Sequence, residues 1–162
     1  FGKIYKIIDY GRAVYTFKNE VMCSDSYHKD GDAATQYNFG VYRDDNKPTI
    51  EPNYSFDLCR LSCSLFDFFI EDIDDLKKVR SEIKKIIIGW CIDDKDRNVL
   101  YKNNGDERYP DFKLYKMIAR SVHRHVPSDV LKNTYFDKYT IAKKKINKSA
   151  HIMNIDELPS YV

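Results

Sequence analysis

Glycine is scarce in this 162-residue chain, with six in all, while tyrosine (13) and phenylalanine (9) are plentiful. That balance excludes a low-complexity or disordered segment, which is poor in aromatic residues. Charge of one sign is not in excess either: 27 Lys and Arg stand against 25 Asp and Glu. A near-neutral chain has no general electrostatic pull toward nucleic acid or an anionic membrane. The four cysteines, Cys23, Cys59, Cys63 and Cys91, form no C-x-x-C pair, so neither a zinc ribbon nor a dithiol redox motif is indicated. They read as reduced thiols in a cytoplasm-like compartment. Soft-metal ligands are few. Cys23 with His28, and His123 with His125, are the only hints, and two histidines two apart on a helix face different ways. No Gly-x-Ser-x-Gly, no Ser-His-Asp order and no internal repeat occurs, and no apolar run reaches the ~20 residues that cross a bilayer. Asn53-Tyr54-Ser55 and Asn147-Lys148-Ser149 fit the glycosylation pattern and read as chance matches.

What the chain does have is one strongly apolar segment, Ser55-Phe-Asp-Leu-Cys-Arg-Leu-Ser-Cys-Ser-Leu-Phe-Asp-Phe-Phe-Ile70. Asp57, Arg60, Ser64 and Asp67 share one face of a helical wheel and the other faces are apolar. A surface helix needs only one apolar stripe, so this pattern predicts a buried core helix. Asp57 then sits at the start of a helix destined for burial. It either stabilises the helix end through the macrodipole, with Ser55 as cap, or holds another backbone segment in place. Cys59 and Cys63, four apart on this helix, read as small core residues.

Around it, Ile4-Tyr-Lys-Ile-Ile8 reads as a buried strand closed by an Asp9-Tyr10-Gly11 turn, and Ala13-Val-Tyr-Thr-Phe17 as a second strand, the two able to form a ribbon. Residues 18–53 are rich in Asp, Asn, Ser, Gly and Tyr and read as one long loop, a length that is usually functional or mobile. Its Ser24, Ser26, Thr35 and several tyrosines are candidate phosphoacceptors, with Arg12 and Arg43 as phosphate partners, but ordinary loop composition is the favoured account of them. After the core helix, Glu71-Asp-Ile-Asp-Asp75 reads as an acidic turn or helix start. Leu76, Val79, Ile83, Ile86, Ile87 and Trp90 predict one amphipathic helix. Asp93-Asp-Lys-Asp-Arg97 reads as a charged loop with solvated carboxylates, and Asn103-Asn-Gly105 as a turn. Pro110-Asp111 opens a helix bearing Leu114, Met117, Ile118, Val122 and His125, which Pro127 stops. Ser128-Asp129 could cap a short helix through Leu131. A basic tail with Lys138, Lys143, Lys144, Lys145 and Lys148 follows, without the interleaved aromatics of a nucleic-acid site. The fold class expected is α+β, mostly α-helical, with residues 1–137 as one unit and residues 138–162 as tail.

Three pieces in order carry a resemblance. Lys6-Ile-Ile-Asp-Tyr-Gly-Arg-Ala13 resembles the strand and Asp-Phe-Gly motif of eukaryotic-type Ser/Thr protein kinases, with Tyr10 for Phe. Tyr54-Ser-Phe-Asp-Leu-Cys-Arg-Leu-Ser-Cys-Ser-Leu-Phe-Asp67 resembles the Asp-x-Trp-Ser-x-Gly stretch that opens the central helix of the kinase C-lobe. Cys91-Ile-Asp-Asp-Lys-Asp-Arg97 is similar to the later Cys-Leu-x-x-Asp-Pro-x-x-Arg element, shortened. The flavour is that of divergent kinases encoded by large DNA viruses of protists.

The resemblance implies a kinase-like C-lobe with a short N-terminal β ribbon, a long activation-segment-like loop and a helical bundle. It implies that Asp9 binds Mg²⁺ bridging the ATP phosphates, that Gly11 allows the turn aiming it, that Asp57 is a buried anchor for the catalytic-loop backbone, and that Arg97 pairs with the Glu of Ala-Pro-Glu. Set in that order, Asp57 reads as the anchor. Departures are plain. There is no Ala-Pro-Glu, and Glu51-Pro52 lies too close to Asp57 to replace it. Cys59 stands for Trp and Ser62 for Gly. The Gly-rich loop, strand Lys and His-Arg-Asp loop, which in the family precede Asp9, are absent, so the chain carries no catalytic residue of its own. A start at Phe1, running at once into an apolar strand, is expected of a piece of a longer protein. The implied activity is transfer of the ATP γ-phosphoryl group to protein hydroxyls with Mg²⁺, by the full domain and not by this chain alone. The alternative is a pseudokinase or structural virion component using the fold as a binding module; a third reading is a small helical scaffold with chance motif matches, which a surface Asp57 would support. Implied partners are the missing N-lobe segment or another chain over the strand ribbon, and a protein substrate, with no membrane and no nucleic acid. The implied location is host cytoplasm or virion.

Overall fold

The computed structural model describes residues 8, 11–34, 46, 52–111, 113–140 and 142. They form an α+β arrangement with a small two-stranded sheet and a set of helices. The sheet is an antiparallel hairpin of β1 (Val14–Phe17) and β2 (Glu20–Cys23), pairing Val14 with Cys23 and Phe17 with Glu20. Lys18 and Asn19 make the turn, both at positive φ (50° and 66°). That is the type I′ geometry whose twist matches a hairpin. The strand expected at Ala13–Phe17 is therefore present, but its partner comes from the segment read as a featureless loop. The other expected strand, residues 4–8, lies outside the described residues apart from Ile8, which is 79% exposed.

A 3-10 turn, Asp25–Tyr27, follows β2, the N–H of Ser26 answered by the Ser24 side chain. Gly31 packs so closely on it that a Cβ there would stand 2.3 Å from the Ser26 carbonyl oxygen. Only glycine fits such an approach. Tyr27 and Ala33 are buried beside Ala119, with Val14, Val21, Cys23 and Phe56 packed around them.

The expected core helix is α1 (Phe56–Phe69). It buries Cys59, Ser62, Cys63 and Phe66, and leaves Leu61 (50%) and Phe68 (82%) exposed. Its apolar surface is therefore only partly covered. The single helix expected from Leu76 to Trp90 is two elements. A 3-10 helix, Ile73–Lys78, starts on an Asp72 cap, and α2 (Glu82–Gly89) starts after Ser81. Val79 and Ser81, extended at ψ 119° and 124°, break the helical ladder between them while the apolar positions keep their period. Two bridges, Ile92 with Asn98 and Tyr101 with Glu107, shape the next connection, and Gly105 turns it at φ +85°. α3 (Lys113–Ser121) ends earlier than expected, and Pro127 opens the single turn α4 (Pro127–Val130) as its first residue, the helical position proline suits best. A further 3-10 helix, Thr134–Tyr139, is capped by Asn133. Among the described residues no helix is long and apolar enough to cross a membrane.

The main core joins α1 to α2, the connection after it and α3. Cys59, Cys63, Phe66 and Ile70 pack on Ile88, Cys91, Val99, Ile118 and Val122. Phe56, at the head of α1, touches both this core and the Tyr27 cluster, so the hairpin and the helices meet there.

Candidate functional site

The polar centre of the molecule is the junction of three backbone segments: the lead into α1, the loop 93–97, and the exit from α3. Asn53 sits two residues before Ser55. Its amide donates to the carbonyls of Ile118, Ala119 and Val122 at 3.4, 3.3 and 2.8 Å, and its oxygen accepts from Ser55 N at 2.9 Å. These are carbonyls at the end of α3, where helices leave acceptors unanswered. Ser55 is fully buried, but its side chain does not cap α1. Its Oγ accepts instead from His125 N at 3.0 Å. Ser55 thus ties two segments together, correcting its reading as a simple cap.

The loop 93–97 is built on Asp93, which has no exposed surface. Its Oδ1 accepts from Lys95 N and Arg97 N, both at 2.9 Å, and its Oδ2 from Arg97 Nε at 3.0 Å and Nη2 at 2.7 Å. Burial alone would push this carboxyl up. The hydrogen bonds from the Arg97 side chain and backbone and from Lys95 outweigh it and hold the carboxyl below its ordinary range. Asp94 balances the same way, lowered by His123 against the pull of burial. It accepts from His123 N at 2.9 Å and contacts the ring Nδ1 at 2.6 Å. Arg124 donates to the Asp93 carbonyl and to Asp96, and the His125 ring meets the Ile92 carbonyl at 2.9 Å. The two histidines do face different groups. The reading of Asp93 as a solvated carboxylate is overturned: its charge is cancelled four residues away in its own loop.

Of the residues implied by the kinase resemblance, Asp9 lies outside the described residues. Gly11 is exposed in a turn, where its carbonyl accepts from Ser26 Oγ at 3.4 Å. Arg97 pairs with Asp93 at 2.7 Å; Glu51 lies outside the described residues. Asp57 is exposed on the first turn of α1, and its carboxylate makes no hydrogen bond to a described residue. The expectation of a buried Asp57 is thus corrected. The physical reason is the wheel position: Asp57, Leu61, Ser64 and Phe68 are spaced by four, three and four, and all four face solvent. Arg12, considered as a phosphate partner, donates to exposed Asp32 at 2.6 Å, and Arg43 and Thr35 lie outside the described residues.

Elsewhere, a cleft of about 780 Å³ opens beside the end of α1, lined by Asp67, Glu71, Asp72, Asp74 and Tyr101 among others. Tyr101 donates to Asp67 at 2.9 Å, and burial, with that contact, pushes its phenol up. Among the described residues no group of three or more His, Cys, Asp or Glu is placed to hold a metal ion. The Mg²⁺ expectation therefore rests on Asp9 alone. Sequence reasoning missed Asn53, Ser55 and Asp93 as structural organisers. An Asn two residues before a buried Ser at a helix start was the signal available for the first two. Comparison with protein-family models, with curated proteins and with solved structures gives no match to this chain.

Proposed function

We propose that this chain is the C-terminal part of a protein-kinase-like domain, whose complete form transfers the γ-phosphoryl group of ATP to a Ser or Thr hydroxyl with Mg²⁺. The observation that carries the reading is the open face of α1. A carboxylate, Asp57, heads that face, and Leu61 and Phe68 follow it, exposed by 50% and 82% on the helix that otherwise forms the core. Exposed apolar side chains in line on a core helix suit a further packed segment. In the kinase reading that segment is the catalytic loop and what precedes it, with Asp57 accepting from the loop's backbone N–H groups. The succession Asp9-Tyr10-Gly11, long connection, α1, then a Cys-Ile-Asp-Asp loop ending in Arg97 supports the same order. Asp9 would hold Mg²⁺ on the ATP phosphates and Gly11 would permit the turn that aims it. The metal and nucleotide supply the phosphoryl chemistry; this chain's own part is positioning.

A second reading, a pseudokinase or virion interaction module, is favoured by Arg97. Its guanidinium is already satisfied by Asp93, so it does not call for the Glu that orders an activation segment in active kinases. Phosphoryl transfer by the protein together with the residues preceding Phe1 separates the two. The enzyme reading expects Mg²⁺-dependent transfer that falls by about 100-fold or more in Asp9→Asn. Activity that survives this substitution removes Asp9 from its role. Nucleotide-independent binding with no transfer supports the module.

A further inference from the structure

Three thiols converge where α1 meets the end of α2. Cys59 and Cys63 are one turn apart on α1 and Cys91 follows α2. All are free and buried, Cys63 with 8% exposure and the others with none. The sulfurs of Cys63 and Cys91 are 3.9 Å apart. Ser62, also fully buried, meets Cys91 Sγ at 2.9 Å and donates to the Ile87 carbonyl. Burial among apolar neighbours accounts for a single core thiol. Two sulfurs in contact from separate elements offer covalent chemistry beyond packing.

We propose that Cys63 and Cys91 are a dithiol pair that a peroxide converts to a disulfide, tying α1 to the chain just beyond α2. This rests on the packing of two helices and is independent of the kinase reading. A disulfide needs sulfurs about 2.05 Å apart, so the pair must close by roughly 2 Å, by rotation about χ1 of both side chains at a modest strain cost. The competing pair, Cys59 and Cys63, shares one helix. Residues four apart there hold their Cβ atoms about 5–6 Å apart, against about 3.8 Å in a disulfide. Cys23 belongs to the hairpin cluster, away from the three.

Exposure divides the chemical roles: Cys63 keeps 8% of its surface open and Cys91 none, so peroxide meets Cys63 first. Thiol hydrogen bonds from Cys59 and Cys91, with the charge of Arg60 beyond them, push Cys63 down toward the thiolate. Cys91 is pushed up by the same contact and by burial, and keeps its proton. The thiolate is the attacking form. Cys63 sulfur attacks one oxygen of hydrogen peroxide; the O–O bond breaks, a sulfenic acid forms, and the leaving hydroxide takes up the proton that Cys63 gave up and departs as water. Cys91 sulfur then attacks Cys63 sulfur; the S–S bond forms, the S–O bond breaks, and the Cys91 proton departs with the hydroxyl as water. Two thiols and one peroxide give one disulfide and two waters. Without Cys91, the sulfenic acid would climb irreversibly to sulfinic acid.

The test treats the folded full chain with hydrogen peroxide, blocks remaining thiols in denaturant, digests and maps linked peptides by mass spectrometry. The expected result is a Cys63–Cys91 link, free thiols falling from four to two, reversal by dithiothreitol, and an unfolding midpoint raised on the order of 5–10 °C. Cys59→Ala should keep the link. Cys63→Ala and Cys91→Ala should lose it, with each variant's unfolding transition recorded beside it; the native protein's linked peptide decides if either does not fold. A Cys59–Cys63 link, a link formed only in urea, four thiols left free, or sulfinic acid at Cys63 with no link would each overturn the proposal.

Discussion

Asp93 is a carboxylate with no exposed surface, met by four N–H donors. Two of them are backbone amides of its own loop, so the charge holds the loop's shape as well as Arg97. Asp93→Ala strips all four bonds and leaves two loop amides without an acceptor; the expected cost is about 2–4 kcal/mol, read as a lower urea midpoint. Asp93→Asn keeps an oxygen for the amides but turns an NH2 toward Arg97, and should cost less. The same groups set a pH dependence. Asp93 and Asp94 are both held below their ordinary carboxyl range, so their contribution is fully present above about pH 4 and is lost as pH falls through the lower folded values. A pH series of thermal midpoints should therefore drop on the acid side. In Asp93→Asn the drop should be shallower. An unchanged acid limb would show that these carboxylates are not held as the geometry requires.

Elements make a second set of expectations, concentrated on α1. Phe66 is 1% exposed and Phe68, two residues on, is 82% exposed. Phe66→Ala should cost about 3–5 kcal/mol by opening the core beneath Tyr101 and Cys63. Phe68→Ser should change stability by no more than about 0.5 kcal/mol while raising solubility, measured as the concentration at which the protein stays monodisperse. α1 was legible because fourteen residues of helical period with few polar positions leave little choice. The hairpin was not, because its turn uses Lys18-Asn19 at positive φ where sequence signals look for Asn-Gly or Asp-Gly. The break before α2 was hidden because Val79 lies outside both helices yet packs on the core, preserving the apolar period across an interruption of the backbone. Asp93 was unreadable for another reason. A run of charges looks solvated, and only the chain's turn back onto itself puts Arg97 over the buried carboxylate of that run.

At the scale of the whole molecule, two apolar clusters share Phe56, one under the hairpin and one along α1. Around them lie surfaces with apolar side chains facing out. On the hairpin these are Tyr15, Phe17 and Met22, exposed by 52%, 49% and 39%, and on α1 they are Leu61 and Phe68. The helical content and the central place of α1 follow from periodicity. What covers those faces depends on contacts between segments far apart in sequence, and local pattern does not encode it. Asp57 is where the two readings of the chain divide. If its carboxylate only favours the start of α1, its neutralisation acts alike in any context. If it anchors a loop preceding Phe1, the effect depends on that loop. The decisive measurement is the unfolding midpoint of Asp57→Asn in this chain and in a protein extended upstream of Phe1. The kinase-like account predicts a change within about 0.5 kcal/mol here and a loss of about 2 kcal/mol or more in the extended protein, where a charged acceptor of buried amides is removed. Equal effects in the two proteins would contradict it.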